Sequence, residues 1–314
     1  MQKTTNDYSE RVKAEVAKYA RQFNGRLAQE VPSIWDAVER DFADTIQKQT
    51  GVRNLYEYVL RDVKNKGKQK VHILGLGSGA CGNELDGITP LLQSIGVEVH
   101  LTCLDINEEI IEQAKGEAVK RGVNFSGIAA DVNQVQLDPC TYDVVVAYAA
   151  LHHFIELDHI TREVNSALTD DGLFVTVDIP TRNGYKMWEE TLQIVRSLWE
   201  VIPPQFKIDH SGFAEPTFVE EYLNIDFSVG CFECINSEAI LPALKNNLIT
   251  EEYVPAMSIC RRFFDTKYGP NYNLNEELDK SIFDFIMKLD EYYLESGLLQ
   301  PETFFGAYRK QLLH

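Results

Sequence analysis

The sequence predicts an α/β protein built on a doubly wound, mostly parallel β-sheet, and three observations predict this fold class. First, an apolar run of buried-strand length starts at Val71 and ends in glycines, and a helix-like segment follows at Asn83. Second, strand-like and helical segments then alternate as far as residue 179, which is typical of parallel strands joined by crossover helices. Third, Asp105 and Asp131 follow two further strands, at the sheet edge where such folds bind their ligands.

The predicted strands are short and mostly apolar, as expected for a sheet that helices cover on both faces. Asn107 is a suitable N-cap for the helix after the second strand, whereas Gly87 and Pro90 interrupt the helix after the first. Apart from the strand that starts at Val71, the predicted strands are Val97–Leu104, Val123–Ala130, Tyr142–Ala147, Leu173–Ile179 and a closing strand, Thr303–Tyr308.

Residues 1–66 are predicted to form helices. Two apolar stripes have the three- and four-residue spacing of one helical face, and a third helix is expected between Asn54 and Val63. These helices form a cap over the active site or cover one edge of the sheet, and the two alternatives are equally favoured. The stripes consist of Val12, Val16, Tyr19 and Phe23, and of Ile34, Val38, Phe42 and Ile46.

The charge of the chain restricts its partners. A net charge of −18 argues against sequence-independent nucleic-acid binding, which needs a basic face. A cationic or neutral small molecule suits this field better. No apolar run approaches the length of a membrane-spanning helix. We therefore expect neither a nucleic acid nor a membrane as a partner, and the oligomeric state is left open.

The cysteines indicate a reducing compartment. The six cysteines are scattered and no signal peptide precedes them, so a cytoplasmic location is expected. Cys231 and Cys234 have the spacing of a zinc or redox pair, but no second ligand pair lies nearby. Buried structural thiols are therefore the favoured interpretation, and no metal site is predicted.

The glycine-rich turn is the main candidate ligand-binding motif. Gly75, Gly77 and Gly79 allow close approach of the backbone to a ligand, and amides at the start of the following helix can face a polar group. The turn fits the dinucleotide fingerprint in two registers, but the Gly-Lys-Ser/Thr of a Walker phosphate loop is missing. The turn alone therefore does not distinguish between nucleotide ligands.

The two acidic residues narrow the choice of ligand. Asp105 can accept hydrogen bonds from the ribose hydroxyls of either a dinucleotide or an adenosyl ligand. Asp131, one strand further along, is placed to accept a hydrogen bond from the exocyclic amine of adenine, with Val132 against the ring. Together the three strand ends favour an adenosyl ligand.

This combination resembles the class I S-adenosylmethionine-dependent methyltransferases over about residues 70–180. The resemblance implies a Rossmann-like sheet of seven strands whose last strand is antiparallel, for which Thr303–Tyr308 is suited, with S-adenosyl-L-methionine as cofactor and S-adenosyl-L-homocysteine as product. It rests on Val71–Gly79, Asp105, Ala130–Val132, Tyr142–Val145 and Ala150–His153. The cofactor contacts that it implies are Gly75, Gly77, Gly79, Asp105, Ile106, Asp131, Val132, Tyr148 and Ala149.

The resemblance also sets the expected domain organisation. Residues 1–66 are the N-terminal helical cap and residues 67–180 the cofactor-binding core. Residues 181–300 are a helical lid insertion for the substrate, since so long a segment between two sheet strands is most simply a binding subdomain. Residues 301–314 supply the final sheet strand.

Four side chains are candidates for a general base: His152, His153, His210 and Glu233. The two adjacent histidines follow the fourth strand at the expected active-site edge, and His153 is preferred because the family often places its second histidine near the cofactor. A structural or cofactor-contacting role is the alternative for both.

Three arginines are candidates for holding an anionic group of the acceptor. Arg182, near Asp178 after the fifth strand, could bind a carboxylate or phosphate, with an exposed surface arginine as the alternative. Arg261 and Arg262 could line the lid with Tyr268 and Tyr272, although a charged helix face is favoured for them.

The predicted function is methyl transfer to a small molecule. A looser resemblance of residues 205–310 to methyltransferases that modify sugars and natural products suggests an acceptor of that kind. Its carriers are Gly230–Glu233, Arg261–Phe264, Tyr268–Tyr272 and Pro301–Phe305. An NAD-dependent oxidoreductase and a non-catalytic binding module are the alternatives.

Overall fold

A computed structural model describes residues 8–17, 32–211 and 215–311. Its centre is a seven-stranded sheet in the order β3-β2-β1-β4-β5-β9-β8, in which β9 alone runs opposite to its neighbours. This confirms the predicted fold class. The sheet strands are β1 Lys70–Leu76, β2 Glu98–Asp105, β3 Asn124–Ala129, β4 Tyr142–Tyr148, β5 Leu168–Asp178, β8 Leu248–Ala256 and β9 Thr303–Lys310; β6 Ile208–Asp209 and β7 Thr217–Phe218 form a separate small ribbon.

Helices cover both faces of the sheet, which explains why the central strands are apolar without alternation. In β4, Val144 and Val146 pack on one face and Val145 on the other. The described helices are α1 (residues 8–17), α2 Ser33–Thr50, α3 Leu55–Lys66, α4 Thr89–Ser94, α5 Glu108–Lys120, α6 Leu157–Ala167, α7 Glu189–Val201, α8 Ile240–Asn247, α9 Arg261–Phe264 and α10 Glu277–Glu295. Helices α3, α4 and α5 cover the first face, and α6 and α8 the second.

The interruption predicted after β1 takes the form of a π-helical turn, Asn83–Ile88, that runs directly into α4. Pro90 lies in the first turn of α4, where its missing N–H costs nothing. Gly87 faces the Tyr56 ring, and a Cβ there would come within 2.8 Å of it. Gly87 therefore allows the π-helical turn to pack closely against α3.

The N-terminal helices have different positions. Helix α3 packs on the sheet, whereas the first half of α2 packs with α7, α9 and α10 in a separate core around Trp199. Helix α1 lies over the carboxyl ends of β1 and β2. The predicted stripe positions Tyr19 and Phe23 lie outside the described residues.

The edge strand β8 lies inside the segment assigned to the helical lid, where the sequence predicts no strand. Its residues 249–251 are all exposed, and the register shifts between Thr250 and Glu252, so no clean two-residue alternation results. Pro255 also argues against a central strand, although an edge strand tolerates it. The insertion between β5 and β9 therefore contributes one strand to the main sheet.

Cys81 and Cys103 are joined as a disulfide, a pairing that the sequence does not predict. The two residues are 22 positions apart in the chain. They meet because Cys81 follows β1 and Cys103 lies in β2, the strand paired with it. Sequence spacing alone could not show this neighbourhood.

None of the helices in the described part of the chain is long and apolar enough to cross a membrane.

Candidate active site

A cavity of about 350 Å³ opens at the carboxyl ends of β1 and β2. A volume of this size is within the range of small-molecule sites. The turn after β1, the residues after β2 and helix α1 form its walls. The cavity is lined by Tyr8, Glu15, Val16, Gly77–Ala80, Gly82, Leu104–Asn107, Ile110, Asp131–Asn133, Ala149, Ala150, His153, Phe154 and Phe232.

The glycine turn forms the floor of this cavity. Gly77 and Gly79 have φ values of +57° and +53°, a conformation that favours glycine. A Cβ at Gly77 would lie 3.0 Å from the Phe154 ring, so a side chain would also crowd the cavity wall. Gly75 lies within β1 instead, where its missing side chain makes room for the Glu84 carboxyl group.

Glu84 is a buried acid beneath the turn that was not predicted from the sequence. Burial raises the pKa of Glu84 to about 7. A Cβ at Gly75 would come within 2.7 Å of Glu84 Oε1, so the glycine and the acid occupy complementary space. The role of Gly75 is therefore to pack the turn.

Asp105 faces the cavity in a fixed orientation. The Gly79 amide donates to its Oδ2 at 3.0 Å, and the Asn107 amide donates to its Oδ1 at 2.9 Å. Burial raises the pKa of Asp105, although these amides favour its charged form. Each oxygen retains capacity for a second hydrogen bond, so the carboxylate fits a pair of ribose hydroxyls. Ile106 lines the cavity beside it.

Asp131 lines the same cavity, but it already has several partners. Its Oδ1 accepts hydrogen bonds from the Asn133 backbone and side-chain amides, and its Oδ2 accepts from the Gln134 amide and from the Tyr8 hydroxyl at 2.5 Å. A carboxylate has about four acceptor sites. An adenine amine could therefore bond to Asp131 only by replacing one of these donors, of which Tyr8 is the most distant in sequence.

Helix α1 is held over the cavity by three polar side chains on one helical face. Tyr8 bonds to Asp131, Arg11 donates to the Ser228 and Cys231 carbonyls at 2.7 and 2.6 Å, and Glu15 Oε1 lies 3.0 Å from His153 Nδ1. The sequence was interpreted only through the apolar stripe of this helix. The spacing of positions 8, 11 and 15 is also that of one helical face. Helix α1 thus connects the loop at residues 228–231 to the cavity wall that contains Asp131 and His153.

The two candidate histidines differ in their surroundings. His153 lines the cavity and faces Glu15, whereas His152 is buried behind it. Asp178 Oδ1 lies 2.8 Å from His152 Nδ1, and Glu233 Oε1 lies 3.7 Å from Nε2. Burial alone would lower the pKa of His152, but the Asp178 carboxylate outweighs this effect and raises it.

The Asp178 carboxylate has the further task of holding the segment after β4. It accepts hydrogen bonds from the backbone amides of Ala150 and Leu151 at 2.9 and 2.7 Å, and from Ile179 at 2.8 Å. With a carboxylate on Nδ1, that nitrogen carries the proton, and Nε2, which can then act as an acceptor, faces the Glu233 carboxyl group. The arrangement is that of an oriented base.

Three other predicted site residues lie away from the cavity. Tyr148 stacks on the Tyr56 ring with centroids 6.4 Å apart. The Arg182 side chain is partly exposed and lies 3.9 Å from Glu238. His210 lies 2.8 Å from Asn271 Oδ1, beside the small ribbon.

A second cavity, of about 280 Å³, lies between α2, α9 and the segment that follows β5. Glu233 lines it, while the preceding residue, Phe232, lines the first cavity. The Phe232–Glu233 segment is therefore a shared wall. The second cavity is lined by Trp35, Ile179, Tyr185, Glu233, Arg261, Asp265 and Thr266.

The Cys231–Cys234 pair is divided between two environments. Cys231 is half-buried, and Cys234 is fully buried with its pKa raised to about 12 by burial. Ligand atoms of His152, Glu233 and Cys234 lie within 4.8 Å of one another. A thiol with so high a pKa is neutral at physiological pH, which makes it a poor metal ligand unless a metal displaces its proton.

The first cavity fits the adenosyl ligand that the resemblance implies. The glycine turn gives close backbone approach, and Asp105 offers a carboxylate to the ribose. Val132 offers an apolar surface beside Asp131. Only the Asp131 contact requires a rearrangement, the release of one of its present donors.

Comparison with known proteins gives one family match. The family model described as a methyltransferase domain matches residues 68–215, from β1 to the small ribbon. No curated protein matches the chain.

Several solved structures resemble the chain at low identity. A protein assigned as a sarcosine dimethylglycine methyltransferase from Galdieria sulphuraria has 13% identity and a TM-score of 0.46, with 81% of this chain and 84% of that chain covered. The geranyl diphosphate C-methyltransferase from Streptomyces coelicolor A3(2) has 11% identity and a TM-score of 0.43, with coverages of 82% and 81%. The PH0226 protein from Pyrococcus horikoshii OT3 has 16% identity and a TM-score of 0.40, with coverages of 89% and 99%.

Proposed function

On the premise that residues 68–215 form a class I S-adenosylmethionine-dependent methyltransferase domain, we propose that the protein transfers a methyl group to a small-molecule acceptor. One observation carries the proposal: the glycine turn, Asp105 and Val132 line a single cavity whose far wall adjoins the His152–Asp178 pair. A sugar or a natural-product intermediate is the acceptor class that the sequence favours.

The proposed cofactor contacts follow the lining of the first cavity. Gly77, Gly79, Asp105, Ile106 and Ala149 belong to this set, as do Asp131 and Val132. Gly75 and Tyr148 act indirectly, since Gly75 packs the turn on Glu84 and Tyr148 packs on Tyr56. Asp105 fixes the ribose, and the turn fixes the opposite end of the ligand.

The bound cofactor supplies an electrophilic methyl group on a sulfonium. The protein's main task is to align the acceptor with that group, because proximity and orientation can contribute about 7–11 kcal/mol to lowering the barrier. The shared Phe232–Glu233 wall supports such an alignment, since it separates the cofactor cavity from the second cavity by one segment of chain.

His152 is the proposed general base. Its Nε2 takes the proton that the acceptor's nucleophile releases as the bond to the methyl carbon forms and the carbon–sulfur bond breaks. Asp178 stabilises the resulting imidazolium, and a base of this kind contributes about 10²–10⁴-fold. His153, which the sequence favours, instead faces the cofactor cavity and Glu15, and we assign it a cofactor-side role.

Calorimetric titration with S-adenosylhomocysteine tests the proposal. We expect a 1:1 complex, and we expect Asp105→Ala to weaken it roughly 10- to 100-fold, the range of a lost charge-assisted hydrogen-bond pair. Asp138→Ala, at an exposed site after β3, is the matched control and should leave the affinity unchanged. Binding of NAD(H) in place of S-adenosylhomocysteine would favour the oxidoreductase alternative and contradict the proposal.

Turnover needs a separate assay. Incubation with methyl-labelled cofactor and a low-molecular-weight cell extract should transfer label to a small molecule. If the cofactor binds but no label leaves it with any extract, the protein is the non-catalytic module that the sequence left as an alternative.

A further inference from the structure

We infer that the second cavity binds an oxyanion of the methyl acceptor, a carboxylate or a phosphate, through Arg261. This inference rests on the proposed function, because it names the substrate class for that same site. The sequence offered this role to Arg182 and also to Arg261 and Arg262, and the Arg182 side chain lies outside both cavities.

Two adjacent arginines on α9 provide the first argument. Arg262 is buried and forms a bidentate ion pair with Glu302, in which the Nε–Oε2 and Nη2–Oε1 distances are 2.6 and 2.8 Å. Arg261 instead donates to two neutral oxygens, the Tyr185 hydroxyl at 2.7 Å and Thr303 Oγ1 at 3.1 Å. Within the ranges that the structure describes, no carboxylate oxygen lies within 4.0 Å of the Arg261 guanidinium.

A partly buried guanidinium without a close counter-charge favours an anionic ligand. Removing a charge from water is costly unless an opposite charge or several hydrogen bonds replace the lost solvation. Two of the Arg261 nitrogens have neutral partners, and no described residue accepts a hydrogen bond from Nη2. Asp265 lines the same cavity but lies beyond ion-pair distance. A carboxylate or phosphate would supply the missing charge and accept in a fork geometry.

The aromatic walls keep this guanidinium in place. Arg261 Cζ lies 5.4 Å from the centroid of the Trp35 ring and 5.7 Å from that of Tyr185. Cation–π contacts and the Tyr185 hydrogen bond fix the plane of the fork before a ligand arrives. The same two rings offer an apolar surface to the rest of a small acceptor. The site therefore holds the oxyanion of the ligand through a fixed guanidinium, whereas the rest of the ligand meets only apolar ring surfaces.

The position of the cavity connects this site with methyl transfer. Glu233 lies in its wall, and Glu233 Oε1 is 3.7 Å from His152 Nε2. An acceptor whose oxyanion binds Arg261 would therefore lie against Glu233, the side chain that separates this cavity from the proposed base. A volume of about 280 Å³ suits a small metabolite.

The net charge of −18 does not oppose this assignment. Charges further away than a Debye length of about 8–10 Å are largely screened at physiological ionic strength, whereas a close, partly buried pair is screened much less. The expectation of a cationic or neutral ligand came from the whole-chain charge. At short range the cavity offers the Arg261 guanidinium together with the Glu233 and Asp265 carboxyl groups, and burial raises the pKa of Asp265, which favours its neutral form.

Anion binding to the intact protein tests the inference without knowledge of the acceptor. Phosphate and acetate are the probes, each titrated calorimetrically in the presence of saturating S-adenosylhomocysteine at constant ionic strength. We expect one of them to bind and Arg261→Gln to weaken that binding about tenfold or more. The probe that binds distinguishes a phosphate from a carboxylate acceptor. Arg162→Gln, an exposed site on α6, should bind the anion as the wild type does.

The affinity for S-adenosylhomocysteine makes the outcomes distinguishable. If Arg261→Gln keeps that affinity within about twofold but loses the anion, the inference is supported; Arg261→Lys serves as the conservative variant if the glutamine variant does not fold. Cofactor binding with no anion binding, or anion binding that Arg261→Gln leaves intact, overturns the inference and leaves the methyltransferase assignment in place. Loss of cofactor binding by the wild type would instead contradict the proposed function.

Discussion

The two cavities are built in opposite ways. The first is lined mostly by residues between positions 77 and 154, and most of these lie at the end of a regular strand or in the turn that follows it. The second gathers Trp35, Tyr185, Glu233 and Arg261 from parts of the chain that no sequence pattern connects. On our proposal, the parallel sheet therefore determines where the cofactor binds, whereas the packing of α2 against α9 and the segment after β5 determines what the acceptor meets.

The largest expected effect on the methyl-transfer rate is at His152, which lies beside the Phe232–Glu233 wall between the cavities. His152→Asn should lower the methyl-transfer rate about 10²–10⁴-fold, because the proton acceptor is lost, while cofactor affinity changes little. His153→Asn should do the reverse and act mainly on cofactor binding. Single-turnover rates and calorimetry on both variants measure the contrast. Equal rates for His152→Asn and the wild type would end the assignment of His152 as base.

The pH dependence of the rate should reveal the same base. The Asp178 carboxylate raises the pKa of His152, so the neutral, active form is lost already at a pH above the ordinary histidine value. Below that pKa we expect the rate to fall about tenfold per pH unit. Asp178→Asn removes the raising charge and should shift this acidic limb to lower pH. A pH–rate profile with the limb unmoved would contradict the pairing.

The glycine turn offers a matched pair of substitutions. Gly77→Ala forces a side chain into φ +57° and to within 3.0 Å of Phe154, so the free energy of unfolding should fall by roughly 1–3 kcal/mol. Gly82→Ala, at φ −59° with open space around the new Cβ, should change it by less than about 1 kcal/mol. Urea denaturation compares the two, and similar losses at both positions would argue against the strained turn.

The smallest expected effect is at Tyr8. Tyr8→Phe keeps the ring contact with Phe232 but removes the hydroxyl bonded to Asp131. If the adenine amine competes for that carboxylate, affinity for S-adenosylhomocysteine should rise about 2- to 10-fold, as for one net hydrogen bond. Weaker binding would show instead that the Tyr8 hydroxyl holds α1 in its position over the cavity.

Much of the fold follows from the sequence because strands buried on both faces leave long apolar runs. The apolar run at Val144–Val146 predicts a strand, and Asn107 predicts the start of a helix as its N-cap. The structure confirms both. Strand β8 could not be predicted from the sequence, because its exposed edge and Pro255 obscure the two-residue alternation of a strand. The Cys81–Cys103 bridge required knowledge of which strands are neighbours.

The candidate site also contains residues that the sequence predicts and residues that it does not. Gly77, Gly79, Asp105 and Asp131 could be named from the sequence because parallel strands place their ends together. Tyr8 and Glu15 could not, since their contacts depend on how α1 crosses the sheet. Arg261 could be named as a candidate for an anionic group of the acceptor, but the sequence favoured a charged helix face for it, because its place in a cavity depends on how α9 packs against α2. The cytoplasmic location and the absence of a nucleic-acid partner stay predictions from composition.

The central claim is that one ligand lies on the glycine turn and another on Arg261, on either side of the Phe232–Glu233 wall. A crystal structure of the protein with S-adenosylhomocysteine and phosphate tests it most directly. We predict ribose hydroxyls on Asp105 and the anion within hydrogen-bond distance of Arg261. An adenosyl ligand bound elsewhere, with Asp105 facing an empty cavity, would contradict the account.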